Sequence, residues 1–118
     1  MYKFFVPLFA LMTAAFFSRA YAGTLDTPSF IVTVEVNCPE GHVVCDDVTY
    51  TGISKKNGIT ITLKGSTWHT RGRDSTPGRF IGYRFQSGEY LYWVLGEGAL
   101  EIRKGEKVIS SEKGEWAR

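Results

Sequence analysis

Gln86-Ser-Gly-Glu-Tyr-Leu-Tyr-Trp-Val-Leu-Gly-Glu-Gly-Ala-Leu-Glu-Ile-Arg-Lys-Gly-Glu-Lys-Val-Ile-Ser-Ser111 is the stretch that decides the fold. Aromatic and β-branched residues alternate with polar ones in short runs, and a glycine-bearing turn follows each run. The runs are Glu89 to Leu95, Ala99 to Arg103 and Lys107 to Ser111. The turns are Gln86-Ser87-Gly88, Gly96-Glu97-Gly98 and Lys104-Gly105-Glu106. Strands of this length joined by such short turns form an antiparallel meander.

The same beat continues upstream. Phe80 to Phe85 is a strand, and so is Phe30 to Val36, with Val32, Val34 and Val36 on one face. A strand is expected over His42 to Ser54, with a bulge near Asp46 and Asp47 where its alternation breaks. Lys55-Lys56-Asn57-Gly58 carries an Asn-Gly pair, which favours a tight type I′ turn into Gly58 to Leu63. Residues 70–79 are polar and rich in glycine and arginine, with Pro77 near the end, and read as the one long loop. No segment after the leader repeats apolar residues at helical spacing over three turns. The fold class is therefore all-β: a small antiparallel barrel or sandwich of about seven to eight strands.

The N-terminus is of a different kind. Lys3 precedes an apolar run from Phe4 to Phe17, and Ala20-Tyr21-Ala22 supplies the small-x-small pattern of a cleavage site. These are the parts of a secretory signal, so residues 1–22 are expected to be removed, leaving residues 23–118 as a single domain. The run is about 14 residues, short of the roughly 20 that span a bilayer as a helix, and no later run replaces it. No stable membrane anchor is expected after cleavage, and the address is periplasmic or secreted. Cys38 and Cys45 are the only cysteines, and in an exported protein they are expected to form a disulfide.

The whole sequence has 14 basic and 12 acidic residues; the signal takes Lys3 and Arg19 and no acid, which leaves the two signs balanced. A nucleic-acid partner is not expected of such a protein. The charge is uneven all the same. Residues 24–54 carry acids and no Lys or Arg, whereas residues 55–84 carry Lys55, Lys56, Lys64, Arg71, Arg73, Arg79 and Arg84 against Asp74 alone. The middle of the sequence is either a solvated surface paired with acidic strands or a face for an acidic partner.

Catalytic and metal-binding readings are weak. Cys38-x3-His42-x2-Cys45 has ligand types, but a zinc site needs free thiolates. His69, Asp74 and Ser75 share one loop, whereas a triad is held by separate rigid elements. No enzyme activity, metal or cofactor is expected. What remains is binding of another protein. The candidate contact residues are Arg71, Arg73, Ser75 and Arg79 in the loop, where guanidinium forks suit carboxylates, and Tyr83, Tyr90 and Tyr92 in the aromatic strands. Alternation places Tyr90 and Tyr92 opposite Trp93, so the tyrosines are an exposed stripe if Trp93 is core, unless both faces are buried.

Ser87-Gly88-Glu-Tyr-Leu-Tyr-Trp93-Val-Leu-Gly96-Glu97-Gly98-Ala99-Leu100, together with Val34-x2-Asn37-Cys38-Pro-Glu-Gly41, resembles the bacterial inhibitors of c-type lysozyme. The resemblance implies a small exported antiparallel barrel that inserts a loop rich in Ser, Gly and a basic residue into the acidic cleft of lysozyme. Ser75-Thr76-Pro77-Gly78-Arg79-Phe80 would correspond to that loop, with Ser75 and Arg79 against the catalytic carboxylates. The alternative is an immunity, adhesion or envelope-assembly component with no enzyme target. A hollow ligand carrier is disfavoured, because a small barrel with this aromatic content fills its own interior.

Overall fold

Backbone pairing starts at Ala20 in the computed structural model, which describes residues 20–39, 41–74 and 76–117. Residues 1–19, most of the expected signal, lie outside the described residues, as do Glu40 and Ser75. The strands are β1 (Ala20–Asp26), β2 (Phe30–Val36), β3 (Val48–Ser54), β4 (Thr60–Arg71), β5 (Pro77–Ser87), β6 (Tyr90–Leu95), β7 (Ala99–Lys104), β8 (Lys107–Lys113) and β9 (Glu115–Ala117). The described residues contain no helix.

All neighbours are antiparallel, in the order β8-β7-β6-β5-β4-β3-β2-β1-β9. The first and last positions belong to one continuous segment, because only Gly114 separates β8 from β9. β8 zips onto β7, and β9 then pairs Thr24, Leu25 and Asp26 of β1. A single bent terminal segment thus joins both edges of the sheet and makes a barrel, the arrangement that removes open edges. A cut after Ala22 would leave every β1–β9 pair in place, since those pairs begin at Thr24.

Gly114 makes the bend. A Cβ built there would collide with the Asp26 carbonyl oxygen and lie 2.9 Å from Thr27 Cγ2. Its N–H donates to Gly98 O at 2.9 Å. Beyond it, the Trp116 indole donates to Gly96 O at 2.9 Å. The same ring packs over Gly23, where an added Cβ would sit 3.2 Å away. On the other side of the bend, Glu112 accepts from the Ser29 N–H at 3.0 Å and the Ser29 hydroxyl at 2.6 Å. Partial burial raises the Glu112 pKa, but the hydrogen bonds from Ser29 and Thr27 outweigh it and hold the carboxyl below its ordinary value of 4.5.

A depressed carboxyl stabilises the fold above its unfolded pKa, and that stability is lost as pH falls through the lower folded value. Glu112→Gln is therefore expected to cost about 1 kcal/mol near neutral pH and to flatten the fall in stability below pH 4.5. Urea melts of both proteins across the acid range check this; parallel curves would refute it.

The interior is filled by inward residues of most strands: Leu25, Val32, Val34, Val48, Tyr50, Phe85, Val94, Leu100 and Ile102, with Cys45 at one end. At its centre the Tyr50 ring lies 5.2 Å from Phe85 and 5.4 Å from Tyr92. Two glycines make room for these rings. A Cβ on Gly52 would press on the Tyr50 ring, and one on Gly65 would strike the Phe85 ring and the Arg84 carbonyl. Small residues opposite large ones let a narrow barrel close over aromatic side chains.

Four expectations change. β3 begins at Val48 rather than His42, because residues 37–47 are a loop drawn shut by the disulfide. The expected tight Asn-Gly turn is wider: Ser54 N donates to Ile59 O and Gly58 N to Ser54 O, with Gly58 at φ 73°. The long loop 70–79 shrinks to residues 72–76, because β4 and β5 keep pairing out to Arg71 and Pro77. Nine strands form among the described residues, since β1 and β9, which carry the closure, are weak sequence signals.

Candidate functional site

The barrel has two poles. One carries the turns between β1 and β2, β3 and β4, β5 and β6, and β7 and β8. The other carries the disulfide loop 37–47, the β4–β5 turn 72–76 and the β6–β7 turn 96–98. The candidate site is at this second pole.

β4 and β5 outgrow their neighbours there. β3 pairs β4 only as far as Gly65, and β6 pairs β5 only from Gly82 onward. Beyond those points the two strands pair only with each other, as a two-stranded ribbon. Register shifts at Trp68/His69 and His69/Arg71 are bulges, which bend a ribbon and increase its twist.

The tip is tied down by its own side chains. Gly72 N donates to Thr76 O at 2.9 Å. Asp74 Oδ1 accepts from the Thr76 N–H at 3.3 Å and its hydroxyl at 2.8 Å. These bonds hold the exposed Asp74 carboxyl below its ordinary pKa. Arg79 N donates to Thr70 Oγ1 at 2.8 Å. Pro77 opens β5, a strand position that needs no N–H.

Arg71, Arg73 and Arg79 are exposed on this ribbon, and none has an ion-pair partner among the described residues. Elsewhere three cations of the barrel are ion-paired. Lys55 binds Asp26, Lys64 Nζ lies 2.9 Å from Asp47 Oδ1, and Arg103 lies 2.6 Å from Glu101.

The disulfide loop braces the ribbon from one side. Cys38 and Cys45 are bonded, so neither sulfur is a thiolate, and His42 N donates to Pro39 O in the turn between them. Thr67 N donates to Cys45 O at 2.9 Å, and Cys45 N donates to Thr67 Oγ1 at 3.0 Å. At the loop's base, Asn37 donates to Asp47 and Thr49, and Lys64 and Asn37 together hold the Asp47 carboxyl below its ordinary pKa. The loop lifts Val43 and Val44 into solvent, at 67% and 43% exposure, beside the ribbon arginines.

The outer wall braces it from the other side. Trp68 stands opposite Gly82, and its ring reaches to 4.9 Å from Trp93. Arg84 lies over Trp68 and Arg103 over Trp93, each 4.7 Å from the ring centroid. Each such stack contributes about 0.5–1 kcal/mol at an exposed site.

The expected contact residues divide. Arg71, Arg73 and Arg79 all lie exposed on the ribbon, with Arg71 and Arg79 lining different grooves, while Ser75 lies outside the described residues. Tyr83 and Tyr92 face inward and pack against the core, and burial pushes both phenols above their ordinary pKa. Tyr92 and Val94 share the inward parity of β6, so Trp93 lies outward and no exposed tyrosine stripe forms. Tyr90 is exposed, but at the far end of β6, beside the opposite pole, with Lys104 5.8 Å from its ring. His69 packs edge-on against Phe80 at 5.5 Å, while Asp74 is engaged by Thr76.

No family model matches the protein, and no curated protein or solved structure matches it significantly. Sequence reading misses Val44, Trp68 and Arg84 as parts of the site. Only Arg84 carries a local signal, the outward parity it shares with Gly82; Trp68 faces that glycine only once the β4–β5 register is known, and Val44 is placed by the disulfide loop.

Proposed function

We propose that the molecule is an exported protein-binding barrel that presents the β4–β5 ribbon to an acidic cleft on another protein, with a c-type lysozyme as the sharpest target. One observation carries the reading: Arg71, Arg73 and Arg79 stand exposed on one braced ribbon with no acidic partner among the described residues, whereas Lys55, Lys64 and Arg103 elsewhere on the barrel are ion-paired. An arrangement fixed before binding loses little conformational entropy on docking. Cations without local partners steer toward and recognise carboxylates. The disulfide fits an oxidising compartment. Among the described residues no helix is long and apolar enough to cross a membrane. The lysozyme target is supported by the resemblance of residues 87–100 to its inhibitors.

The test is hydrolysis of bacterial cell wall by c-type lysozyme with the processed protein added. Inhibition at micromolar concentration is expected, and Arg79→Ala should weaken binding about tenfold or more, the effect of losing a charged hydrogen bond of about 1.5–3 kcal/mol. Unchanged lysozyme activity with the protein in large excess would refute that target.

A further inference from the structure

We propose that the groove between the disulfide loop and the β4–β5 ribbon is a carboxylate pocket, which holds either an acidic side group or the C-terminal carboxylate of a bound peptide. The proposal deepens the protein-binding reading, on which it rests, by giving one contact a chemistry. It lies to the side of the ribbon tip and leaves out Arg73.

The groove has a volume of about 180 Å³ and is open to solvent, and its lining includes Val44, His69, Arg71, Thr76, Pro77 and Arg84. Its chemistry is one-sided. Arg71 comes from the end of β4 and Arg84 from the middle of β5, and among the described residues no acid lines the groove. The neighbouring groove beside Arg79 has Glu97 in its wall, which makes it the poorer anion site. Asp74, the nearest acid along the ribbon, is held by Thr76.

The cations are also positioned. Arg84 lies on the face of Trp68, 4.7 Å from its centroid, which restricts its long side chain before any ligand arrives. Val44 and Pro77 give an apolar wall on which the stem of the ligand rests. Val44 keeps its place because the next residue, Cys45, is joined to Cys38 by the disulfide and to Thr67 by two backbone-anchored hydrogen bonds. Guanidinium groups recognise carboxylates through paired N–H donors, a geometry that a lysine does not reproduce.

The test is NMR titration of the folded protein with three probes: N-acetyl-glutamate α-amide, N-acetyl-glutamine α-amide and N-acetyl-valine with a free carboxylate. Saturable shifts of the Arg71 and Arg84 side-chain N–H signals are expected with at least one carboxylate probe and not with the glutamine probe. The glutamate and valine arms separate a side-group ligand from a C-terminal one. Arg71→Gln and Arg71→Lys should each weaken binding about tenfold, as should Arg84→Gln, while Lys107→Gln, exposed at the opposite pole, leaves it unchanged. Arg71 is exposed, so its variants report even where replacing Arg84 disturbs the fold. Equal response to glutamate and glutamine, no saturable shift with either carboxylate, or an equal loss from Lys107→Gln would overturn the proposal. Carboxylate binding without lysozyme inhibition would leave the pocket standing and remove only the lysozyme target.

Discussion

Tyr50→Ala is expected to lower the free energy of unfolding by about 3–5 kcal/mol, the usual range for emptying a large buried aromatic site. Tyr50 is 1% exposed and touches both other rings at the barrel centre, Phe85 and Tyr92. Its ring lies over Gly52, which has no side group to swing into the gap. The strands around it are tied into a closed ladder, so the wall cannot collapse inward to fill the hole. Tyr50→Phe keeps the ring and is expected to cost less than about 1 kcal/mol. Burial also raises the phenol pKa well above its ordinary value, so the hydroxyl stays neutral throughout the working range of pH. Denaturant unfolding of the two variants checks both statements. An alanine variant within about 1 kcal/mol of the parent protein would mean that the centre is far looser than the contacts indicate.

Gly114→Ala is expected to cost about 3 kcal/mol, the upper part of the range for forced overpacking. The added methyl group would occupy the space of the Asp26 carbonyl, which is backbone and cannot rotate away. Relief requires β9 to lift from β1 or the Gly114–Gly98 hydrogen bond to open, and either movement loosens the closure. Gly105→Ala is the comparison. That residue has a φ of 63° and nothing within 4 Å of an added Cβ, so only backbone strain of about 1 kcal/mol is expected. Equal melting temperatures for the Gly114 variant and the parent would contradict the closure described above. A loosened variant should also self-associate, because its freed strand edges can pair with another copy.

Much of this architecture is legible in the alternation of residues. β6, β7 and β8 begin within a residue of their expected starts, because glycines at 88, 98 and 105 mark the turns and each takes a positive φ. The disulfide follows from having two cysteines behind an expected leader. What stays hidden depends on contacts between residues far apart in sequence. Nothing local distinguishes Glu115-Trp116-Ala117 as a strand until β1 offers it an edge. The ribbon reads as a loop for a related reason. Thr70, Arg71, Gly78 and Arg79 make a weak strand signal, and their pairing is sustained by the register that the well-formed inner part of the same hairpin imposes.

The site is half legible. Counting charge locates the ribbon arginines, but alternation alone does not say which face of β6 is core. Val94 decides that question, fully buried and in phase with Tyr92, so that face turns inward. The groove beside Val44 is out of reach of sequence reasoning, because it needs the disulfide loop laid against β4 by bonds between Cys45 and Thr67.

The bend at Gly114 also sets the order of events when the polypeptide is made. Residues 107–117 are the last of the strands to appear, yet they hold both margins of the sheet. Until they arrive, β7 and β1 each show an unsatisfied row of amides, and the nascent molecule resembles an open cuff. Completion is therefore a single late event that depends on the tail. A ribosome that stalls before residue 107 releases a sticky intermediate, not a weakened version of the finished protein.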